Sequence, residues 1–219
     1  TKVLTISDCI RRIREKSGDK NSFIYSWNYA DSIKNLGSGI IFENYLNNEG
    51  AEKAKFIPEK LTNRFIKLPF SIWNNYSIKL ANSMFFYLNY SLIKNKKEDF
   101  LKVIFPFYGN ENYFNFFGKK GFIESQLLIS EENIDEFFDE FKYLFKLHKP
   151  NITLFSFKNM SGKQSFLRFE DNKICVTIDY TNEKKNQLFM REVDKICIKL
   201  KILPSIIKDS RLSKNILDN

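Results

Sequence analysis

The chain is short of the residues that usually announce chemistry. Its one histidine, His148, falls where a helix should end and reads as a surface residue opposing the helix dipole, so no histidine-based catalytic motif is assembled. Cys9, Cys175 and Cys197 are odd in number, with neither C-x-x-C spacing nor a neighbouring histidine. That pattern argues against a disulfide framework or a zinc site and suits a reducing compartment. Eight glycines and five prolines are too few for a disordered or fibrous chain. There is no P-loop, G-x-G-x-x-G, H-E-x-x-H or G-x-S-x-G. The longest apolar stretch, Met84 to Ile93, is interrupted by asparagine and falls short of the ~20 residues that span a bilayer. No signal-peptide pattern opens the residues given, so a cytoplasmic location with at most peripheral membrane contact is expected.

What is present is aromatic and basic. Apolar residues make up 43% of 219, with 23 Phe and 10 Tyr, which is enough for a real core in one large domain or in one and a half small ones. Abundant Lys, Asn and Ile accompany the Phe, so part of the aromatic excess reflects compositional bias. Net charge is +9, from 35 basic and 26 acidic residues, a field suited to nucleic acid, an anionic membrane surface or a phosphorylated ligand. The basic runs at Lys94 to Lys97, Gly118 to Lys120 and Glu183 to Lys185 are short and separated by acids and apolar residues, as on solvated faces. Clustering on one face, the stronger sign of nucleic-acid binding, is absent, and no nucleic-acid partner is expected.

Periodicity predicts an alternation of helices and strands. Ser7 or Asp8 can cap a first helix through "CIRRIREK", and "NSFIYSWN" and "GIIFEN" read as strands joined by a turn or short helix over "YADSIKNLGS". Asn47 to Lys67 reads as a long polar loop. "SIKLANSMFFYLNYSLIK" carries apolar residues at helical spacing, "FLKVIFPF" is strand-like and stopped by Pro106, and "ENYFNFFG" is a short aromatic helix ended by Gly118. "GFIESQLLI" is then a strand whose alternation puts Glu124 and Gln126 on one face with Phe122 and Leu128. The clearest helix is capped by Ser130, with Ile134, Phe137, Phe138, Phe141, Leu144 and Phe145 as one buried stripe. "ITLFSFK" and "SFLRFEDNKICVTIDYT" read as two strands joined as a hairpin, and a last helix covers Glu183 to Leu200. No internal repeat is legible. The order predicts an α+β fold with a largely antiparallel sheet covered by helices.

Polar residues inside apolar strands are the candidate site. Glu124, Gln126, Lys158, Cys175 and Thr177 can converge on one sheet face, because alternate residues share a side. Lys158 reads first as a solvent-facing residue, with an ion-pair partner of Glu124 or an anion-binding group as the alternatives. Cys175 reads as a small core residue and Trp27 as core, with a ligand-stacking role as the alternative.

Taken in order, the segments resemble the FAD-linked oxidases of the decaprenylphosphoryl-β-D-ribose 2-oxidase and sugar-1,4-lactone oxidase type. "YSWNYADSIKNLGSGIIFEN" resembles that family's Tyr-Ser-x-x-Trp, Gly-x-Gly segment. "FLKVIFPF" with "YFNFFGKKGFIESQLLIS" is similar to its Phe-Pro strand, aromatic-glycine helix and glutamine strand. "LFSFKNM", "ICVTIDYT" and "LPSIIKDSRLS" resemble its lysine strand, its catalytic-face strand and its terminal Lys-Asp-x-Arg motif. No glycine-rich FAD-binding segment is present.

The resemblance implies a substrate (cap) domain over residues 1–204. Residues 205–219 then start a segment that packs back on an FAD domain outside this chain. It implies oxidation of a secondary alcohol of a sugar or polyprenyl-phosphate sugar by hydride transfer to flavin, with a reductase partner completing an epimerisation and work done beside the inner membrane. Lys208 is the implied catalytic and cofactor-facing residue, and Lys158, Gln126, Glu124, Thr177, Cys175 and Trp27 the implied substrate side. Glu124 stands where the family often has glutamine, and Ser205 replaces a pocket tyrosine. The chain alone is expected to be inactive. The competing reading is a non-enzymatic basic module that binds nucleic acid or an anionic membrane surface.

Overall fold

The computed structural model describes residues 1–18, 21–47, 68–91, 96–104, 112–160 and 173–205. Among the described residues seven strands form one sheet: β1 (Lys2–Val3), β2 (Ser22–Asn28), β3 (Gly39–Tyr45), β4 (Phe122–Ile129), β5 (Ile152–Met160), β6 (Lys173–Thr181) and β7 (Leu203–Pro204). Their order is β1-β3-β2-β5-β6-β4-β7, and every pair is antiparallel. The helices are α1 (Ile6–Lys16), α2 (Asn75–Ser91), α3 (Phe100–Ile104), α4 (Asn112–Asn115), α5 (Ile134–His148) and α6 (Lys184–Lys199). The fold is therefore α+β, with a largely antiparallel sheet and helices against it, as the sequence predicts.

The topology contains a duplication that the sequence does not announce. Chain order β4-α5-β5-β6-α6-β7 with spatial order β5-β6-β4-β7 is the split β-α-β arrangement of ferredoxin-like domains. The amino-terminal β1-α1-β2-β3 repeats its first four elements, with spatial order β2-β3-β1. The halves meet where β2 pairs with β5. That seam is thinly bonded. Tyr25 and Lys158 form its one register pair, and Ser26 Oγ fills in by accepting the Phe157 N–H at 3.0 Å.

One face of the sheet is buried by α1, α5 and α6. Thr5, rather than Ser7 or Asp8, caps α1, its hydroxyl accepting the Asp8 N–H at 3.1 Å. Ile6, Cys9, Ile10 and Ile13 recur at helical spacing and pack towards Ile24 and Ile41. In α5, Phe137, Phe138, Phe141 and Phe145 form the buried stripe, and Phe141 stacks on Phe155 of β5 at 5.7 Å between ring centres. Ser130 does not cap this helix directly: Glu131–Asn133 form a 3-10 turn first, and Asn133 ties the turn down by donating to Leu200 O at 2.8 Å. Fully buried Asn186 closes the start of α6, donating to Thr181 O at 2.8 Å and accepting the Asn151 N–H at 2.9 Å. A buried amide with its hydrogen bonds made fixes helix against sheet, where an unpaired one would cost stability.

The strand expected over "FLKVIFPF" is overturned. Residues 100–104 form the helix α3 and not a strand, although Phe, Val and Ile favour extended backbone. Asp99 starts the turn, its carboxylate accepting the Leu101 N–H at 2.9 Å and its carbonyl the Val103 N–H at 3.1 Å. Local capping here overrides β-propensity. The short edge strands β1 and β7 have too few residues for a pattern to show. The 47–67 loop after Asn47, the 105–107 part of "FLKVIFPF" and the 165–172 part of the hairpin's second strand lie outside the described residues. So does nearly all of the proposed 205–219 segment.

Candidate functional site

The other face of the sheet carries the polar residues, and strict alternation puts them there. Along β6, Ile174, Val176, Ile178 and Tyr180 point into the helical core, which leaves Cys175, Thr177, Asp179 and Thr181 on the opposite side. Register then assembles rows across three strands. Lys158, Cys175 and Leu128 form one row, Ser156, Thr177 and Gln126 the next, and Leu154, Asp179 and Glu124 the third. Tyr25 of β2 lies opposite Lys158, so Phe23, Tyr25 and Trp27 extend the same face.

All six described residues singled out as substrate-side candidates therefore share one face over four adjacent strands. Lys158, Thr177 and Trp27 also line a common cavity of about 70 Å³, together with Tyr25, Ser156 and Ile104 of α3. Gln126 reaches into the row by donating to Thr177 Oγ1 at 3.4 Å. Glu124 lies two rows from Lys158 and across β6 from it, so the ion pair offered as one reading of Lys158 does not form. Trp27 packs on Phe85 of α2 at 4.3 Å between ring centres, which makes it both core and cavity wall. Lys208 lies outside the described residues. Ser205 is buried beside the site, its N–H donating to Gln126 O at 2.7 Å.

Burial sets the ionisation chemistry. The Cys175 thiol is fully buried and pushed up to about 11, the nearby Lys158 cation offsetting only part of that desolvation. It is no ready nucleophile. Tyr25 is pushed up to about 12, by burial first and then by the charge of Glu98. Beside the cavity this face offers the Lys158 cation, the Ser156 and Thr177 hydroxyls and the Gln126 amide, with the Glu124 and Asp179 carboxylates one row further on, a set that suits binding a hydroxylated group rather than covalent catalysis.

One cluster escapes sequence reasoning. Tyr113 of α4 donates its hydroxyl to Asp179 Oδ2 at 2.9 Å and lies 2.8 Å from Thr153 Oγ1, where the β5 register slips between Ile152 and Leu154. Asp179 is signalled by its alternation with Cys175 and Thr177. Tyr113 is not, because a short helix far away in sequence delivers it. Its hydroxyl is held well above the ordinary tyrosine value by burial and then by the Asp179 charge. Among the described residues no cluster of His, Cys, Asp or Glu could hold a metal ion, and Cys9, Cys175 and Cys197 are buried and in no disulfide.

A scan of protein-family models finds no match to this chain, and no curated protein matches it either.

Proposed function

We propose that this chain is the substrate-side portion of an FAD-dependent oxidoreductase that oxidises a secondary alcohol of a sugar or lipid-linked sugar. The observation that carries the reading is the common sheet face: Trp27, Glu124, Gln126, Lys158, Cys175 and Thr177, named by resemblance to the FAD-linked oxidases, come from four strands onto one side. The doubled β-α-β-β order also gives a broad sheet whose far face keeps a small cavity beside α3 for such a role.

A cavity of about 70 Å³ takes about two water molecules, not an isoalloxazine ring, so this cavity does not enclose a flavin. They fit the edge of a bound molecule only, with residues outside this chain holding the cofactor. When bound, FAD supplies the hydride acceptor. Lys158 supplies a fixed positive charge for an anionic group, and Thr177, Ser156 and Gln126 supply hydrogen bonds that orient a hydroxylated substrate. Trp27 and Tyr25 form an apolar wall that keeps water from that charge.

Titrating the 219-residue chain with FAD and measuring bound flavin absorbance tests the division of labour. The expected result is no stoichiometric yellow protein, and a stoichiometric complex would overturn it. The activity itself is tested by joining the chain to the FAD-binding domain of an FAD-linked oxidase and assaying sugar-alcohol oxidation with a dye acceptor. Lys158→Met should then lower kcat/KM by about a hundredfold, in line with losing one preorganised electrostatic contact. An unchanged value would remove Lys158 from the site. A steep, salt-dependent, submicromolar affinity for nucleic acid would favour the basic-module reading instead.

A further inference from the structure

The described residues include a second and larger hollow, a groove of about 530 Å³ between β1, the 29–38 loop and α2, which shares no lining residue with the first cavity. The glycines of "NLGSG" shape it. Gly37 has φ +85°, and a Cβ on it would lie 2.0 Å from Ile6 Cγ1, while a Cβ on Gly39 would lie 2.2 Å from the Trp27 carbonyl. Lys2, Lys34 and Lys79 line the groove from three different elements, with Asp31 the single acid among the lining residues. All three lysines are exposed, and none makes an ion pair with a described residue.

Helix α2 forms one wall and also has an unusual outer side. Its inner side packs inward through Ile78, Asn82 and Phe86, with Phe86 stacked on Tyr29. On the outer side Tyr76, Leu80, Met84, Tyr87 and Leu88 are 87%, 64%, 57%, 68% and 44% exposed. At ~100° per residue these five fall within an arc of ~120°, one continuous stripe. Lys79 is the only charged residue from Asn75 to Ser91, and it flanks the stripe on the groove side. A contiguous apolar stripe of this kind marks an interaction surface.

We propose that the outer face of α2 and the lysine-lined groove beside it dock this chain on an anionic phospholipid bilayer. The stripe lies among the headgroups and acyl-chain roots, its tyrosines at the polar boundary, while Lys2, Lys34 and Lys79 sit against lipid phosphates. Charge favours this occupant over a second copy, because pairing two α2 faces would bring lysines of the same sign together. Nucleic acid would match the lysines but leave the stripe in water. No described helix is long and apolar enough to cross a membrane, so α2 lies on the surface. The proposal does not rest on the flavin reading.

The test is co-sedimentation of the full chain with vesicles of phosphatidylcholine, with and without phosphatidylglycerol. Binding should require phosphatidylglycerol, weaken with salt and resist competition by inorganic phosphate. Leu80→Glu with Met84→Glu should lower partition at least about tenfold. Lys2→Gln, Lys34→Gln and Lys79→Gln should each lower it about fivefold. These positions are exposed, so thermal unfolding should be unchanged, and the lysine variants carry the test alone if the glutamate pair misfolds. Equal binding to neutral vesicles, displacement by inorganic phosphate, or lysine variants that bind like the parent would overturn the proposal. So would a dimer seen by light scattering that the glutamate pair dissolves.

Discussion

The two faces of β6 are built from the same nine residues and behave as different solvents. On one, Ile174, Val176, Ile178 and Tyr180 are fully buried against α1, α5 and α6 in a continuous aromatic and aliphatic core. On the other, Cys175, Thr177 and Asp179 are nearly as buried, yet beneath a looser cover of α3 and α4, with a small cavity left over. Equal burial with unequal packing separates a face that holds the protein together from one that can hold something else. A native core has no space to give, because each lost contact is felt.

The sharpest way to break that comparison is to cut both faces. Phe157→Ala, on the helix side next to Phe138 and Phe155, should cost about 3–5 kcal/mol by urea unfolding. Lys158→Met, one residue on and facing the other way, should change stability by no more than about 0.5 kcal/mol. If the two costs are equal, the faces are not distinct.

Tyr113→Phe probes how the looser cover is tied down. It removes the hydroxyl that Asp179 accepts and should cost about 1–3 kcal/mol, because it strips a partner from a buried carboxylate. A cost near zero would mean that α4 is held by its aromatic contacts alone.

The smallest effect is one of pH. Burial raises the Cys9 and Cys175 thiols from an ordinary 9.0 to about 11. The folded protein therefore keeps protons that the unfolded chain releases. The stability this contributes is complete below pH 9.0 and lost as pH rises towards about 11. Urea midpoints should fall over that window, and Cys175→Ala should flatten the fall. At neutral pH iodoacetamide should label Cys175 only after unfolding, and rapid labelling of the native protein would show the second face to be open.

The shared face of Glu124, Gln126, Lys158, Cys175 and Thr177 was legible because a period of two is a local property of extended backbone. The long helices were legible for the same reason at a different period, and α5 follows its stripe of phenylalanines. Residues 100–104 depart from their strand preference because one aspartate, Asp99, outweighs that of the five residues after it. Two-residue strands such as β1 carry no period at all, and so the doubled topology, which depends on β1, stayed hidden.

Sequence alone decided which residues share a side, through alternation in strands and the 3.6-residue turn of helices. It could not decide which side would be packed tight, which would keep a cavity, or that α2 would leave Tyr76, Leu80 and Met84 in the open. Those outcomes depend on contacts between segments far apart in the chain, such as Tyr113 with Asp179 and Trp27 with Phe85. Local periodicity fixes direction, but only the closing of the sheet fixes what lies opposite.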